Sequence, residues 1–160
     1  HAPGAPFRPN LDARIAAALM SIQAFKAVGF GAGFSYAGSY GSKIDDAIYY
    51  SRLRGYYRKT NNAGGIEGGM TNGMPIDVSA AVKPISTVKK GVQSVDCRAR
   101  KPSRTVYERS DVCAVPAASV IAASVVSIEF LSAVLETAGG SSMGLVSKNF
   151  ENYKKYVKKY

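Results

Sequence analysis

The stretch of this chain best suited to chemistry is Thr60-Asn61-Asn62-Ala63-Gly64-Gly65-Ile66-Glu67-Gly68-Gly69-Met70-Thr71-Asn72-Gly73, with Arg58 and Lys59 just upstream. Glycine accepts φ > 0 and lets other groups approach the backbone, at a cost in ordering entropy. Two Gly-Gly pairs and an Asn-Gly in so short a run point to bare amides that line an anion or a flat cofactor. A mobile linker is the alternative reading. Linkers favour Gly and Ser with few apolar residues, whereas this run carries Ile66 and Met70 and leads into an apolar alternation. The only histidine is His1, so no mechanism that needs a buried imidazole is open to the chain by itself. Cys97 and Cys113 are too few for a disulfide framework and too far apart for a zinc pair. A reduced, cytoplasmic setting fits them.

The elements that must position such a run belong to one domain, residues 1–160, long enough to bury a core. Apolar residues make up 46% of the chain, which argues against disorder. The net charge of +10 favours acidic ligands, although Lys148, Lys154, Lys155, Lys158 and Lys159 concentrate much of it at the C-terminal end. The start at His1 suggests that something has been removed upstream, and no signal peptide is visible. Residues 112–128 form the longest uncharged segment. It contains Pro116 and several serines and is closed by Glu129, so it reads as a buried helix, not a membrane span.

Asn10 is a plausible N-cap for a helix over residues 11–26, with Leu11, Ile15, Leu19, Ile22 and Phe25 as its apolar stripe. Residues 28–34 alternate bulky residues with glycine and read as a strand over which something packs closely. Residues 35–60 form a Tyr-rich excursion with a short helix near 43–49. Ile76, Val78, Ala80 and Val82 alternate as in a half-buried strand, ended by Lys83-Pro84. Thr105-Val106-Tyr107 is the best strand within 88–111. Pro116 opens a second long helix over 117–137, stopped by Gly139-Gly140. Ser141 or Ser142 caps a third helix with Val146, Phe150, Tyr153 and Val157 inside, and its terminal lysines suit the helix dipole. Residues 15–22 and 27–28 echo 121–128 and 133–134. Either two Ala-rich helices match by composition, or a helix-plus-sheet unit is duplicated. Both readings give an α+β fold of long helices laid on antiparallel strands.

Several blocks together carry a family resemblance. The Gly-rich run, followed by Met74-Pro75-Ile76 and then Lys83-Pro84-Ile85-Ser86-Thr87, resembles the C-terminal half of chorismate synthase. So do Met20-Ser21-Ile22-Gln23-Ala24-Phe25-Lys26, the block from Glu108-Arg109-Ser110-Asp111 to Ala117-Ala118, and Asn149-Phe150-Glu151-Asn152-Tyr153. The blocks stand in family order and cover nearly the whole chain. The resemblance implies a β-α-β sandwich, long helices between antiparallel sheets, assembled as a homotetramer. It also implies the last step of the shikimate pathway, a 1,4-anti elimination of phosphate from 5-enolpyruvylshikimate 3-phosphate that gives chorismate and requires reduced FMN.

Carried over residue by residue, the resemblance implies that Gln23, Ala24, Gly68 and Arg109 contact the flavin. Lys83, Pro84, Ile85, Ser86 and Thr87 would receive its phosphate through an ammonium, two hydroxyls and backbone amides. Arg109 is also implied near the anionic substrate, and Asp111 as a catalytic carboxylate assisting proton traffic at the flavin N5. The bland readings are a strand-end lysine, turn hydroxyls and a rim ion pair of Arg109 with Asp111.

The chain also departs from the family. Family members are more than twice as long, and their N-terminal half carries two histidines and many of the substrate's arginines. That half is therefore an expected partner, and the isolated chain is expected to be inactive or nearly so. Gly29, Met74 and Ala123 stand where the family often has a carboxylate. A non-catalytic flavin-binding or scaffold module of the same fold is the alternative function. A nucleic-acid binder, suggested by charge and tyrosines, has no recognised module here to support it.

Overall fold

The computed structural model describes residues 10–157; His1 and the lysines at 158 and 159 lie outside them. The first helix, α1 (Leu11–Met20), buries Leu11, Ile15 and Leu19, one residue per turn along a single stripe. Asn10 stands at its N-cap, but its side chain caps nothing. Instead the Leu11 N–H donates to the Gly69 carbonyl at 3.1 Å. The helix is shorter than its apolar spacing predicts. Ser21 donates its hydroxyl to the Ala18 carbonyl, the Ile22 N–H turns back to Leu19, and Ala24 takes φ +72. Ile22 and Phe25 thus keep the helical spacing while belonging to a turn and to the next strand.

That strand, β1 (Phe25–Phe30), pairs antiparallel with β6 (Val78–Val82) in the register Phe25↔Val82 to Phe30↔Val78. It ends at Phe30, short of the Phe34 that the alternation predicts; residues Gly33–Gly38 are instead a 3₁₀ helix. The excursion then holds a single helical turn, α2 (Gly41–Ile44), and a hairpin of β2 (Ile48–Ser51) with β3 (Gly55–Arg58). Tyr49 stacks on Tyr57 across the hairpin, with the Lys59 ammonium 4.2 Å above the Tyr49 ring.

The Gly-rich run folds as a small hairpin, β4 (Ile66–Glu67) with β5 (Met70–Thr71). Its first glycines serve backbone crossing. The Asp77 N–H donates to Gly64, the Ala32 N–H to Asn62 and the Gly31 N–H to Asp77, which knits the run to one end of the β1–β6 ladder. A Cβ on Gly31 would overlap the Asn62 carbonyl, and one on Gly64 would overlap the Gly31 backbone.

A third hairpin pairs β7 (Gln93–Asp96) with β8 (Lys101–Arg104). Thr105, expected to begin a strand, ends this ladder by donating its N–H to Val92. The long helix α3 (Val115–Ala138) has Pro116 in its first turn and stops at Gly139. It packs through Ala118, Ala122, Val126 and Ala133 on the core of Leu11, Ile15, Leu19, Phe25 and Ile66. No residue of α3 is itself fully buried, contrary to the buried-helix expectation. By length and composition it could cross a membrane, but it lies along α1. The last helix, α4 (Met143–Val157), has Ser142 at its start, and the Ser142 hydroxyl accepts the Leu145 N–H at 3.4 Å. Val146 is buried and Phe150 half-buried, whereas Tyr153 and Val157 are exposed.

The architecture is therefore α+β, with helices on an antiparallel ladder and each sheet two-stranded. The internal echo is compositional. Ala27-Val28 lies in β1 but Ala133-Val134 lies within α3, so no helix-plus-sheet unit repeats.

Candidate functional site

Phe25 and Val82 close one end of the β1–β6 ladder, and the ladder's next bond runs from the Lys83 N–H to the Ala24 carbonyl at 2.7 Å. This bond brings Gln23-Ala24 and the turn Lys83-Pro84-Ile85-Ser86-Thr87 together across sixty residues of sequence. Ala24 takes its positive φ in the turn between α1 and β1, immediately before the ladder that its carbonyl joins. Gln23, Lys83, Pro84 and Ser86 are exposed; Ala24, Ile85 and Thr87 are half-buried. Among the described residues the Lys83 ammonium and the Ser86 and Thr87 hydroxyls have no hydrogen-bond partner, so all three are open to a ligand.

Beside this ladder end lies an apolar cleft of about 480 Å³ between the sheet and the N-terminal half of α3. Phe25, Val82, Val115, Ala118 and Ala122 line it, and Ser119 supplies its hydroxyl-bearing side chain. Phe25 follows Ala24, Val82 precedes Lys83, and Val115 lies four residues after Asp111. The blocks that hold Ala24, Lys83 and Asp111 thus adjoin the lining of one cleft. Arg109 and Asp111 lie in the segment between β8 and α3, and both are exposed. Among the described residues they form no ion pair with each other, so the rim-pair reading of them does not hold.

Gly68 is elsewhere. It turns the β4–β5 hairpin with φ +56 and open space where a side chain would be. It lines a second cavity of about 650 Å³ with Asn10, Arg14, Phe130 and Phe150. That cavity adjoins the start of α1, whereas Ala24 follows its end, one helix length of about 15 Å away. The bare glycine amides therefore do not back the Lys83 turn within one chain.

Two of the positions where the family often has a carboxylate are placed by the cleft and the ladder. Ala123 lines it, which makes its wall more apolar. Gly29 faces Ser79 across the ladder, where a Cβ would come 3.2 Å from the Ser79 hydroxyl oxygen.

Charged residues also hold this frame, among them Asp46 and Arg14, for which the Sequence analysis assigns no role. Asp46 is nearly buried and accepts the N–H groups of Asn62 and Ala63, each at 2.8 Å, at the start of the Gly-rich run. Arg58 donates to the Asp46 carbonyl oxygen and pairs with Glu67 at 2.7 Å. Burial by itself would raise the Asp46 carboxyl. Hydrogen bonds from the Ala63 N–H, the Thr60 side chain and the Asn62 N–H, with the Arg58 charge, outweigh it and hold the carboxyl below its usual range. Because the folded form has the lower pKa, this stabilisation is complete above the ordinary carboxylate range. It is lost as pH falls from 3.8 through the depressed native value. Asp46→Ala leaves two amides without their acceptor and is expected to cost about 2–3 kcal/mol at pH 7. Urea titrations should show the gap between wild type and variant closing toward pH 3, and a gap independent of pH would count against the assignment.

Arg14 on α1 reaches Glu129 at 3.1 Å and Glu136 at 3.0 Å on α3, fixing one helix against the other. A signal for this clamp was present: two carboxylates seven residues apart, one face of an otherwise uncharged helix. Asp46 offered none, since no periodic element surrounds it.

These positions can be set against known proteins. The sequence profile of a family described as chorismate synthase matches residues 2–135. Chorismate synthase of Geobacter sulfurreducens is 51% identical over 158 residues, spanning 94% of this chain and 40% of that protein. The enzyme of Geotalea daltonii is 52% identical over 158 residues with the same shares. A crystal structure of chorismate synthase superposes with a TM-score of 0.74 at 43% identity, covering 94% of this chain and 38% of that one. The chain spans about two fifths of the length of the curated relatives it matches. With a matching profile over most of its length and the same fold, the chain belongs to the chorismate synthase family.

Proposed function

We propose that this chain forms part of a chorismate synthase, one that eliminates phosphate from 5-enolpyruvylshikimate 3-phosphate, and that it contributes the phosphate end of an FMN site. The observation that carries this reading is the Lys83–Ala24 backbone bond, which joins a turn carrying an unpartnered ammonium and two free hydroxyls to the end of the ladder whose Phe25 and Val82 line an apolar cleft. A dianionic phosphate suits that donor set, and a flat aromatic ring suits a cleft whose volume lies in the range of ligand pockets. When bound, reduced FMN supplies the electron-rich partner that this redox-neutral elimination requires. Lys83, Ser86 and Thr87 would hold its phosphate, with Gln23 and Ala24 beside them. Arg109, exposed and unpaired among the described residues, would face the anionic substrate. Asp111 would hold a proton near the flavin. Gly68, at the far end of α1, would meet a flavin held by another copy of the chain, in keeping with a homotetramer. The cytoplasm is the proposed location, since the substrate is a phosphorylated biosynthetic intermediate.

The test compares FMN with riboflavin, which lacks the phosphate, on this chain supplied with the rest of the family sequence. Lys83→Ala is expected to weaken FMN about 10- to 100-fold, the loss of one charge-assisted contact, and to leave riboflavin nearly unchanged. Equal losses for both ligands, read by fluorescence titration, would remove Lys83 from the phosphate site.

A further inference from the structure

Half of the chain's net charge stands on one hairpin. Residues 89–104 set Lys89, Lys90, Arg98, Arg100, Lys101 and Arg104 against the single acid Asp96, a local +5 in a chain of net +10. None of the six cations forms an ion pair among the described residues. Asp96 is occupied by the backbone. Its carboxylate accepts the N–H groups of Arg98 at 2.8 Å and Ala99 at 2.9 Å, and its carbonyl accepts the Arg100 N–H at 2.7 Å. These bonds fix the tip of the hairpin, with Arg100 at φ +51. Every residue from 92 to 104 is exposed, and β7 and β8 pair only with each other. Such an arm adds charge to the molecule, not core.

Both feet of the arm lead to the proposed site. Lys89 lies two residues after Thr87, and β8 continues through Arg109 and Asp111 to Val115, which lines the apolar cleft. The base is pinned where the Thr105 N–H donates to the Val92 carbonyl at 3.0 Å and the Val92 N–H to the Thr105 hydroxyl at 2.9 Å. From that base β7 runs four residues, roughly 13 Å. This length is close to the distance of about 10 Å over which charge acts at 0.1 M salt.

We propose that the β7–β8 arm is an electrostatic capture element for the anionic ligands of the cleft, a flavin phosphate and a substrate bearing phosphate and carboxylates; this rests on the site reading above. Long exposed side chains without fixed partners hold no geometry, so they raise the rate of encounter and leave the lifetime of the complex alone. Charge of one sign beside an apolar wall also concentrates the field at the opening. A polynucleotide is a poorer match. Strand β7 has no cation from Gln93 to Asp96, so the charge is divided between base and tip and forms no continuous row for a phosphate backbone.

Stopped-flow fluorescence of FMN and of riboflavin, which lacks the phosphate, tests the arm on this chain supplied with the rest of the family sequence. Salt is varied from about 0.01 M to about 1 M, which shortens the screening length from about 30 Å to about 3 Å. The triple variant Arg98→Glu/Arg100→Glu/Lys101→Glu is expected to slow FMN association at least about 10-fold at low salt and to match the wild type at high salt. Its dissociation rate should stay within about 2-fold, and riboflavin should be unaffected throughout. The three side chains make no hydrogen bond or ion pair with the rest of the described fold, so the thermal transition should match the wild type. Lys43→Glu/Lys148→Glu/Lys155→Glu makes the same change of charge on the Tyr-rich excursion and on α4, and should slow association less than about 3-fold. Equal slowing by both triple variants would assign the effect to net charge and overturn the inference, as would a change confined to dissociation. Unchanged association would overturn it too, whether or not the arm binds a duplex oligonucleotide. FMN binding that the arm does not accelerate removes this inference alone, whereas no FMN binding by the wild type removes the site reading with it.

Discussion

Incubated alone with reduced FMN and 5-enolpyruvylshikimate 3-phosphate, the chain is expected to form chorismate at least 10²–10⁴-fold more slowly than a full-length relative, the usual contribution of a positioned acid or base. His1 is the only imidazole in the sequence, and residues 10–157 contain none. Asp111 is exposed and Arg109 forms no ion pair among the described residues, so neither is held where it could replace a positioned proton donor. The cleft beside them is open along α3, and water in an open site weakens every electrostatic contact that favours the transition state. A stopped-flow assay of chorismate formation measures the rate directly. Turnover at a family-like rate without any added polypeptide would mean that the chemistry needs only what this chain carries.

The largest stability effect is expected at Gly31. Gly31→Ala combines two penalties: a left-handed φ of +53, and a Cβ driven into the Asn62 carbonyl and the Gly64 backbone. Neither obstacle is the movable end of a side chain, so the crossing of β1 with the Gly-rich run has to open. A loss of more than about 3 kcal/mol is expected, above the 1–2 kcal/mol of left-handed strain alone. Gly33→Ala supplies the comparison, because Gly33 has φ +52 but open space around it. Denaturant midpoints of the two variants therefore separate strain from close approach. Equal losses at both positions would show that the backbones do not cross closely in solution.

The Gly31 comparison also shows how far the sequence could be read. The density of glycine after Thr60 signals a need for bare backbone, and for the first glycines of the run the structure shows that the neighbour is another stretch of backbone. Gly64 serves the crossing with Gly31 and Gly65 the approach of Pro75, while Gly68 faces open space. Composition reports that a side chain must be absent, and it does not report what fills the place. The end of α1 was misread for a related reason. Ile22 and Phe25 continue the helical spacing, and only the left-handed Ala24 and the bond from Lys83 reveal that the chain has already turned into a strand.

The existence and order of the main elements, the α+β class and the family were legible in the linear pattern, because apolar period, glycine stops and ordered motifs are local properties. Three things were not: which blocks share a cleft, that Gly68 lies a helix length from Lys83, and that Asp46 and Arg14 hold the frame. These depend on contacts between residues tens of positions apart, whose pairing is chosen by packing and hydrogen-bond satisfaction over the whole fold. The exposed face of α3 belongs to the same class. The sequence determined that the helix is apolar, and the tertiary structure decided that this chain by itself leaves that face open.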